Sequence, residues 1–407
     1  ETELHSSEVH LLLTTVPGVE DIAVQELGAV ARATGVQLLS TEISPSGGQG
    51  HVSCQLTGET SALMPAVLRM RSIHHVYRLV HRFVLPEVTS ERKGNHSFSS
   101  MDLARQAGGT LHDRYQCKVD LKNYDLDVHV DVYDRTCIVS VPLTKGSLNR
   151  LRKRVFSPRI GLQPVLAFCL LQLADLEDGE GAILDPFCGA GTILLEAAEL
   201  FPRLRLHGSD TNEEAIAGAT ENARSLGVLD RISLQRGRAQ DIERNHRPGR
   251  FDAIITNPPF GVRIGRKLNF YCLYRDFLNA AHTVLKPDGR LVVLVWKRGT
   301  FLQILRDFGS YSLLEERRVT TGELHPSIFV LRPNGKSAGA IQTDDSMTGT
   351  GEKAGRAAMS NRIKELEQQI AELKDRWPAH SARPSMLEEL EDLEEKLEEA
   401  REAEKAK

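Results

Sequence analysis

Residues 181–192, Gly-Ala-Ile-Leu-Asp-Pro-Phe-Cys-Gly-Ala-Gly-Thr, decide how the larger part of this chain folds. The apolar start of this stretch, up to Asp185, predicts a buried strand, and its glycines predict a turn. An apolar run from Ile193 to Leu200 then predicts a helix. Strand, glycine turn and helix in this order are typical of a cofactor-binding loop in an open α/β sheet. Gly189 and Gly191 would allow the backbone to approach a bound cofactor closely.

Alternating strands and helices continue on both sides of this stretch. The sequence predicts strands at 205–209, 231–235, 252–256 and 290–295, and helices at 164–176, 192–200, 213–226 and 270–285. Residues 313–319 and 328–331 could add a closing antiparallel pair. Such alternation predicts a doubly wound α/β sheet, in which the crossovers between parallel strands are right-handed.

Carboxylates stand at the ends of the first strands of this predicted sheet. Asp185 ends the strand before the glycines, where it could accept hydrogen bonds from a cofactor or order the turn. Asp210 follows the next strand, about twenty residues after the glycines, where an acidic residue can bind ribose hydroxyls. Asp241 follows the third strand and could accept from an adenine amino group; alternatively, Asp210 and Asp241 cap helices. The candidate cofactor-binding residues are Asp185, Cys188, Gly189, Gly191, Thr192, Asp210, Thr211, Gln240 and Asp241.

The glycine turn lacks the sequence features that bind phosphate-rich cofactors. Residues 189–194, Gly-Ala-Gly-Thr-Ile-Leu, do not complete the Gly-x-Gly-x-x-Gly pattern of dinucleotide enzymes. The turn is also not followed by a P-loop lysine. Both absences favour a mononucleoside-like cofactor, for which S-adenosylmethionine is the natural candidate.

A second motif, Asn257-Pro258-Pro259-Phe260, follows the apolar strand at 252–256. Exocyclic amines of nucleobases are poor nucleophiles because the nitrogen lone pair is delocalised into the ring. The Asn257 side-chain oxygen and the Pro258 carbonyl could accept the two amine hydrogens, and Phe260 could stack on the base. The motif therefore predicts Asn257, Pro258 and Phe260 as catalytic residues, with Asn257 also close to the cofactor. Taken alone, it could equally be a proline-rich turn that closes a strand.

The distribution of charge indicates a polyanionic partner. The chain is net −4, but residues 341–407 hold 11 Lys and Arg against 17 Asp and Glu, so the preceding residues are net positive. The stretch 135–174 has seven basic residues and no acidic one, which is typical of a phosphate-binding surface or of a solvated linker. A second basic run, 261–267, follows the Asn-Pro-Pro-Phe motif. The candidate residues for contact with this polyanion, which would be RNA-binding residues if the partner is RNA, are Lys145, Arg150, Arg152, Lys153, Arg154, Arg263, Arg266 and Lys267.

Composition excludes several classes of protein. With 407 residues, of which 41% are hydrophobic, the chain can fill two or three cores. No stretch approaches the ~20 apolar residues of a membrane span, and the polar N-terminus is not typical of a secretory signal. The six cysteines lack the spacing of zinc ligands or of a disulfide framework. The sequence therefore predicts a cytoplasmic protein with reduced thiols, no metal site and no membrane segment.

Further elements are predicted before and after the doubly wound sheet. The sequence predicts strands at 9–14, 36–43, 51–56, 126–133 and 136–143, and helices at 19–30 and 60–80, so the N-terminal part is α+β. Residues 336–358 are rich in Gly, Ser, Thr and Asp, which predicts a flexible linker. Apolar residues then recur at intervals of three and four in two runs, 363–373 and 386–400. These runs predict a helical hairpin or a self-associating coiled coil.

Five stretches carry a family resemblance: Thr14–Asp21, Leu68–Ser72, Leu143–Arg150, Asp185–Thr192 and Asn257–Gly261. In these stretches the chain resembles the THUMP-domain class I S-adenosylmethionine-dependent tRNA guanine-N2 methyltransferases. The resemblance implies an enzyme that transfers a methyl group from S-adenosylmethionine to the exocyclic N2 amine of a guanosine in tRNA, in the acceptor stem. The last two stretches indicate methylation of an amine, and the first three narrow the acceptor to RNA.

The resemblance also implies a domain organisation. Residues 1–58 would form a ferredoxin-like unit, 59–150 a THUMP RNA-binding unit and 151–335 a Rossmann-like class I methyltransferase domain. The linker at 336–358 and an acidic helical hairpin or coiled coil at 359–407 lie outside the resemblance. The implied partner is tRNA, and the C-terminal helices could contact a second copy or another protein.

Other acceptors stay open at this stage, because planar amides and amines all suit an Asn-Pro-Pro-aromatic motif. A ribosomal RNA guanine-N2 methyltransferase, a DNA adenine methyltransferase and a protein glutamine methyltransferase are the competing enzymes. A non-catalytic RNA-binding or assembly protein is an alternative of another class. The intact glycine turn, the acidic strand ends and Asn257 argue against a decayed enzyme.

Overall fold

The computed structural model describes most of the chain as two compact units, Glu1–Arg236 and Gly237–Lys407. The described residues are 7–45, 49–58, 60–84, 100–116, 126–133, 136–148, 155–156, 161–176, 181–260, 269–322, 324–335, 366–372, 393 and 397. No helix among them is long and apolar enough to cross a membrane.

Six strands of the first unit form one antiparallel sheet, accompanied by three helices. The strands are β1 (Ser7–Thr14), β2 (Gln37–Ile43), β3 (His51–Gly58), β4 (His75–Val84), β5 (His129–Tyr133) and β6 (Thr136–Pro142), and the helices are α1 (Glu20–Thr34), α2 (Thr60–Val67) and α3 (Ser100–Tyr115). The strand order is β2-β3-β1-β4-β6-β5. Because β1 pairs with both β3 and β4, this sheet continues across residue 58.

One face of this sheet is covered by α1 and α2. Leu11 and Leu13 alternate along β1 and are fully buried, together with Leu27 of α1 and Leu63 of α2. Alternate residues of a strand point to the same face, which explains why the predicted strand at 9–14 has this apolar pattern. Helix α1 ends at Thr34 and is capped by Gly35, whose left-handed φ is 69° and whose N–H donates to carbonyls of the last turn.

The helix predicted at 60–80 is wrong in its second half. Helix α2 ends at Val67, and residues 75–84 form β4 instead. The spacing of Leu63, Val67 and Met70 is helical and all three are buried, but the residues from His75 onwards are rich in β-branched and aromatic types. Strand β1 offers β4 an antiparallel partner, and this pairing between distant segments outweighs the local helical spacing.

The rest of the first unit alternates helices and parallel strands, as predicted. Its elements are α4 (Pro164–Leu173), β7 (Ala182–Asp185), α5 (Thr192–Leu200), β8 (Arg205–Asp210), α6 (Glu213–Ser225) and β9 (Ile232–Arg236). Strands β7 and β8 pair in parallel, as do β8 and β9, so their three carboxyl ends lie at one edge. In β8, a Cβ at Gly208 would lie 2.5 Å from Leu194 Cδ1, so the glycine allows α5 to pack closely on the strand.

The second unit contains the later predicted strands and the closing antiparallel pair. Its elements are α7 (Ile242–Asn245), β10 (Phe251–Thr256), α8 (Phe270–Val284), β11 (Leu285–Val295), α9 (Arg298–Phe308), β12 (Tyr311–Arg318) and β13 (Ser327–Pro333). Strands β10 and β11 are parallel, whereas β13 is antiparallel to both β11 and β12. The antiparallel pair expected near residues 313–331 is therefore confirmed. Helices α3, α7 and α9 lie outside the predicted elements.

The described residues of the two apolar runs near the C-terminus pack against each other. Residues 366–372 are helical, and residues 393 and 397 have helical backbone. Leu366, Ile370 and Leu397 are buried together, and Leu393 packs against them. This contact agrees with a helical hairpin. The linker predicted at 336–358 lies outside the described residues.

Candidate active site

The glycine turn, residues 186–191, begins directly after β7. Asp185 is 2% exposed, and its carboxylate accepts a hydrogen bond from the Phe187 N–H at 3.1 Å. The Gly191 N–H donates to the Cys188 carbonyl at 2.8 Å. Asp185 therefore orders the turn, as its position at the end of the strand predicts.

Asp210, at the end of β8, holds the glycine turn from the neighbouring strand. One carboxylate oxygen accepts from the Gly189 N–H at 3.0 Å, and the other accepts from the Asn212 N–H at 2.9 Å. The capping residue of α6 is Asn212, whose side chain accepts from the Glu214 N–H at 3.0 Å. Asp210 is thus a half-buried carboxylate bonded to the turn, and the alternative in which it caps α6 is wrong. Thr211 beside it is exposed.

Backbone conformation keeps one side of the turn open. Gly189 and Gly191 have left-handed φ angles of 51° and 82°, a region that favours glycine. A Cβ at Gly189 would meet no atom within 4 Å, whereas one at Gly191 would lie 3.4 Å from the Ala219 Cβ. Helix α5 begins at Thr192, and its capping residue, Gly191, has no side chain that could bond to the first helical N–H groups. The positive end of the helix dipole at this start favours an anionic or polar ligand group.

Cys188 contributes its main chain to the turn, and its thiol is not a nucleophile. The Cys188 N–H donates to the Ser209 carbonyl of β8 at 3.0 Å. Burial of the thiol, reinforced by Asp185 and Asp210, raises the pKa of Cys188 well above its usual value. A buried neutral thiol cannot act as a thiolate nucleophile near neutral pH.

Two side chains that support the turn were not predicted from sequence. Asn222 of α6 is 1% exposed and donates from Nδ2 to the Ala190 carbonyl at 3.1 Å. Arg71 donates to Glu196 at 2.9 Å and also pairs with Glu199, both on α5. The Arg71 N–H in turn donates to Glu26 of α1 at 2.9 Å, so the N-terminal sheet region is tied to the helix that follows the turn.

Gln240 and Asp241 lie in a short helical turn of the second unit, at residues 239–241. Both are half-buried. Asp241 is already paired with Arg244 at 3.0 Å and lies 3.8 Å from Arg238. These pairs are exposed and contribute little stability, so the carboxylate can exchange them for a ligand.

Asn257 stands directly after β10, and its side-chain oxygen has no partner among the described residues. Thr256 before it is fully buried and Pro258 after it is buried, so the prolines fix the exit from the strand. The Asn257 Oδ1 atom is buried, and no hydrogen-bond donor reaches it within the described part of the chain. Because an unpaired buried acceptor costs free energy, such an atom is typical of a site that a ligand completes.

Phe260, three residues after this asparagine, forms an aromatic pair with Trp296. The rings of Phe260 and Trp296 stack with their centroids 6.1 Å apart and their planes 24° from parallel. Trp296 follows β11, and β11 pairs in parallel with β10, so both aromatic residues come from carboxyl ends of adjacent strands. Trp296 was not predicted as a site residue. Its place directly after the strand predicted at 290–295 is the signal that could have found it.

Only part of the predicted RNA-binding set can be placed. Lys145 is exposed, as a phosphate contact requires. Outside the described residues lie Arg150, Arg152, Lys153, Arg154, Arg263, Arg266 and Lys267. Within the described ranges, no cluster of three or more His, Cys, Asp or Glu side chains could hold a metal ion.

Comparison with known families matches two separate segments. Residues 152–327 match the family model described as RMKL-like, methyltransferase domain, and residues 83–142 match the THUMP domain. The first segment contains both the glycine turn and the Asn-Pro-Pro-Phe motif, and the second spans β5, β6 and α3.

Individual proteins extend the match over most of the chain. The tRNA (guanine(6)-N2)-methyltransferase of Thermus thermophilus is 33% identical over 345 residues, which cover 78% of this chain and 98% of that protein. The crystal structure of TrmN from Thermus thermophilus superposes with a TM-score of 0.64 at 29% identity, covering 81% of this chain and all of that chain. A putative methyltransferase crystallised with SAH shares the fold at 17% identity, with a TM-score of 0.60 and coverage of 80% and 98%.

These matches confirm the Rossmann-like methyltransferase fold and the N-terminal THUMP region predicted from the sequence. They also select among the methyl acceptors that the Asn-Pro-Pro-Phe motif leaves open. The Thermus thermophilus relative, 98% of which is covered by the match, is named for its action on guanine in tRNA. The chain belongs to the family of THUMP-domain tRNA guanine-N2 methyltransferases.

Proposed function

We propose that this protein transfers the methyl group of S-adenosylmethionine to the N2 amine of guanosine 6 in tRNA. The name of the Thermus thermophilus relative supports that nucleotide, which belongs to the acceptor stem. The observation that carries the chemistry is the Oδ1 atom of Asn257 after β10, which is buried and has no hydrogen-bond partner in the described part of the chain. We further propose that the enzyme is cytoplasmic, and that its domains follow the limits predicted from the sequence.

The glycine turn and the residues beside it provide the polar groups that S-adenosylmethionine needs. Asp210 can accept hydrogen bonds from ribose hydroxyls with lone pairs that Gly189 and Asn212 leave free. The positive end of the α5 dipole favours the carboxylate of the methionine part, and the open side of Gly189 admits close approach. Gln240 and Asp241 are assigned to the adenine. When bound, this donor supplies a methyl group on a positively charged sulfur.

The Asn-Pro-Pro-Phe motif prepares the acceptor. Asn257 Oδ1 and the Pro258 carbonyl accept the two N2 hydrogens, which directs the nitrogen lone pair towards the methyl group. Phe260 stacks on guanine, with Trp296 fixing the tilt of its ring. A new N–C bond forms as the methyl–sulfur bond breaks, and the excess proton leaves the cationic amine to water. A guanosine in a paired stem must first be turned out of the helix.

The basic run before the methyltransferase domain is assigned to the tRNA backbone. We expect Arg152, Lys153 and Arg154 to contact phosphates, because the stretch 135–174 has no acidic residue that would repel them. The acidic C-terminal segment, residues 359–407, is assigned to contact with a second copy or another protein rather than with RNA.

Replacing Arg152, Lys153 and Arg154 together by Gln should weaken tRNA binding and flatten its salt dependence. Each lost phosphate contact reduces the slope of log K against log salt by about 0.7 to 0.9. Binding of a fixed tRNA transcript across a salt series measures the slope.

Lys286→Gln provides the control for this prediction. Lys286 of β11 is paired with Asp252, so its replacement removes a positive charge that lies outside the basic run. This variant should keep the wild-type slope. If the triple variant also keeps the wild-type slope of log K against log salt, Arg152, Lys153 and Arg154 do not contact tRNA phosphates and the segment is a linker.

Product identification tests the proposed reaction itself. The protein is incubated with labelled S-adenosylmethionine and, in turn, with tRNA, ribosomal RNA, DNA and bulk protein, and the digests are analysed for methylated products. We expect N2-methylguanosine from tRNA alone. Label confined to adenine, to glutamine or to ribosomal RNA would contradict the proposal.

A further inference from the structure

A polar network holds the backbone of Arg71 and Ser72, which lie between α2 and β4. Glu26 of α1 accepts hydrogen bonds from the Arg71 N–H at 2.9 Å, from the Ser72 N–H at 2.9 Å and from the Ser72 hydroxyl at 2.6 Å. In addition, the Thr15 hydroxyl donates to the Ser72 carbonyl. Ser72 is fully buried. The backbone at this point is therefore held in one place by two other segments of the chain.

The side chain of Arg71 extends from this network to α5. Its guanidinium donates from Nη1 to Glu196 at 2.9 Å and from Nη2 to Glu199. The side chain of Glu196 is 3% exposed and that of Arg71 is 20% exposed, so their ion pair is largely removed from water. Loss of one partner of such a pair is costly, because the other charge stays buried. The planar guanidinium also offers its donors in fixed directions, so the contact depends on orientation.

This contact joins the N-terminal sheet to the cofactor turn within one compact unit. Strand β4 begins at His75, three residues after Ser72, and it pairs with β6, which pairs with β5. At the other end, Glu196 lies about one helical turn after Thr192, where α5 follows the glycine turn. Arg71 therefore connects strands that match the THUMP domain with the helix that begins at the cofactor turn.

We infer that Arg71 is a positioning residue, which fixes the six-stranded sheet on α5 and so sets the direction from which bound RNA reaches the methyl group. The part that concerns RNA rests on the proposed function, whereas the docking of the sheet on α5 rests on the contacts of Arg71 itself. Because its guanidinium is paired with Glu196 and Glu199, Arg71 acts through α5 and not as a phosphate contact.

A double-mutant cycle measured by urea unfolding tests the docking without RNA. Arg71→Gln should lower the urea midpoint by about 1 M, because the buried Glu196 carboxylate loses the guanidinium. Glu196→Gln alone should lower it less, since Arg71 keeps Glu199. The double variant should be more stable than Arg71→Gln, because the buried charge is then absent as well. The control Arg224→Gln breaks an exposed pair with Glu221 and should keep the wild-type midpoint.

Hydrogen exchange followed by mass spectrometry separates positioning from general stability. In Arg71→Gln, the amides of residues 68–72 and 192–200 should exchange about tenfold faster than in the wild type, because the two segments no longer hold each other. Amides of β7 and β8 should keep their wild-type rates. Arg71→Lys, whose single ammonium replaces the two-pronged guanidinium, should give intermediate rates, and Arg224→Gln should exchange as the wild type does.

Single-turnover methyl transfer to tRNA tests the functional consequence. At saturating tRNA and S-adenosylmethionine, Arg71→Gln should transfer about tenfold more slowly than the wild type, because the bound reactants are no longer aligned. Its Kd for tRNA and its Kd for S-adenosylhomocysteine should stay within a few-fold of wild type. Arg224→Gln should transfer at the wild-type rate. A loss of tRNA affinity as large as the loss of rate would contradict positioning and make Arg71 an RNA contact.

The outcomes distinguish this inference from the proposed function. Additive losses in the double variant, or wild-type exchange at residues 68–72 and 192–200 of Arg71→Gln, would overturn the docking. Exchange that is faster by the same factor throughout the chain, or a wild-type transfer rate in Arg71→Gln, would show that Arg71 only stabilises the fold. A wild-type protein that methylates no tRNA would instead overturn the proposed function, and the urea and exchange measurements would still test the docking.

Discussion

Asn257→Ala should reduce methyl transfer to tRNA roughly 10²- to 10³-fold, the usual cost of losing one oriented hydrogen-bonding group at a reacting centre. The side-chain oxygen is buried and unpaired within the described residues, and the substitution removes the acceptor that directs the guanine amine. Single-turnover transfer from S-adenosylmethionine measures the loss. Calorimetry with S-adenosylhomocysteine should give an affinity within a few-fold of wild type.

Asn269→Ala provides the matched control for this prediction. Asn269 is an exposed asparagine of the same unit, and its side chain caps α8 by accepting from the Cys272 N–H at 3.1 Å. Loss of a cap costs about 1 kcal/mol of stability, so this variant should melt earlier yet keep its transfer rate. If Asn257→Ala instead lowers the affinity for S-adenosylhomocysteine as much as it lowers the rate of methyl transfer, Asn257 binds the cofactor and not the guanine.

Asp210→Ala should weaken binding of S-adenosylhomocysteine by about 10²-fold. The carboxylate is assigned two hydrogen bonds from ribose hydroxyls, and a hydrogen bond to a charged group contributes about 1.5 to 3 kcal/mol. The substitution also frees the Gly189 N–H, which loosens the turn that the donor contacts. Equilibrium titration of the purified variant measures the dissociation constant.

Asp210→Asn sharpens this test, because the amide keeps the size of the side chain but has only one acceptor oxygen. It cannot accept from both the Gly189 and the Asn212 N–H groups, so its affinity should fall as well. Asp230→Ala, which removes an exposed carboxylate from the same unit, should bind as the wild type does. Wild-type affinity in both Asp210 variants would show that another group holds the ribose.

The parts of the fold that are local in sequence could be predicted from it. Helix α5 begins at Thr192 and ends at Leu200, as the apolar run after the glycines predicts. Strand β10 and the motif after it were found because the buried residues Ala253, Ile254 and Ile255 form a short apolar run, which only Thr256 separates from Asn257. The glycine turn could be recognised because only glycine adopts the φ angles of residues 189 and 191 without strain.

Features that depend on contacts between distant segments could not be predicted. The segment 75–84 reads locally as part of a helix and becomes β4 only because β1 offers it hydrogen bonds. Asn222 looks in sequence like any polar residue of a helix, and its role depends on Phe156 and Ala190, which lie 66 and 32 residues away. Arg71 is similar, since its partners on α5 are 125 and 128 residues distant.

The function of the Asn-Pro-Pro-Phe motif could be predicted from the sequence only in part. The chemistry of Asn-Pro-Pro-Phe can be predicted from residue types, but the motif alone does not separate guanine from adenine or glutamine. The unpaired Asn257 oxygen and the stacked Trp296 support an acceptor site there, and the match to tRNA guanine-N2 methyltransferases selects the base.

Replacement of guanosine 6 by inosine in an otherwise unmodified tRNA tests the proposed chemistry most directly. Inosine keeps the ring and lacks only the exocyclic amine that Asn257 and Pro258 are assigned to hold. With labelled S-adenosylmethionine, the guanosine tRNA should yield N2-methylguanosine at position 6, and the inosine tRNA should bind but take up no label. Equal labelling of the two transcripts would contradict methylation of that amine.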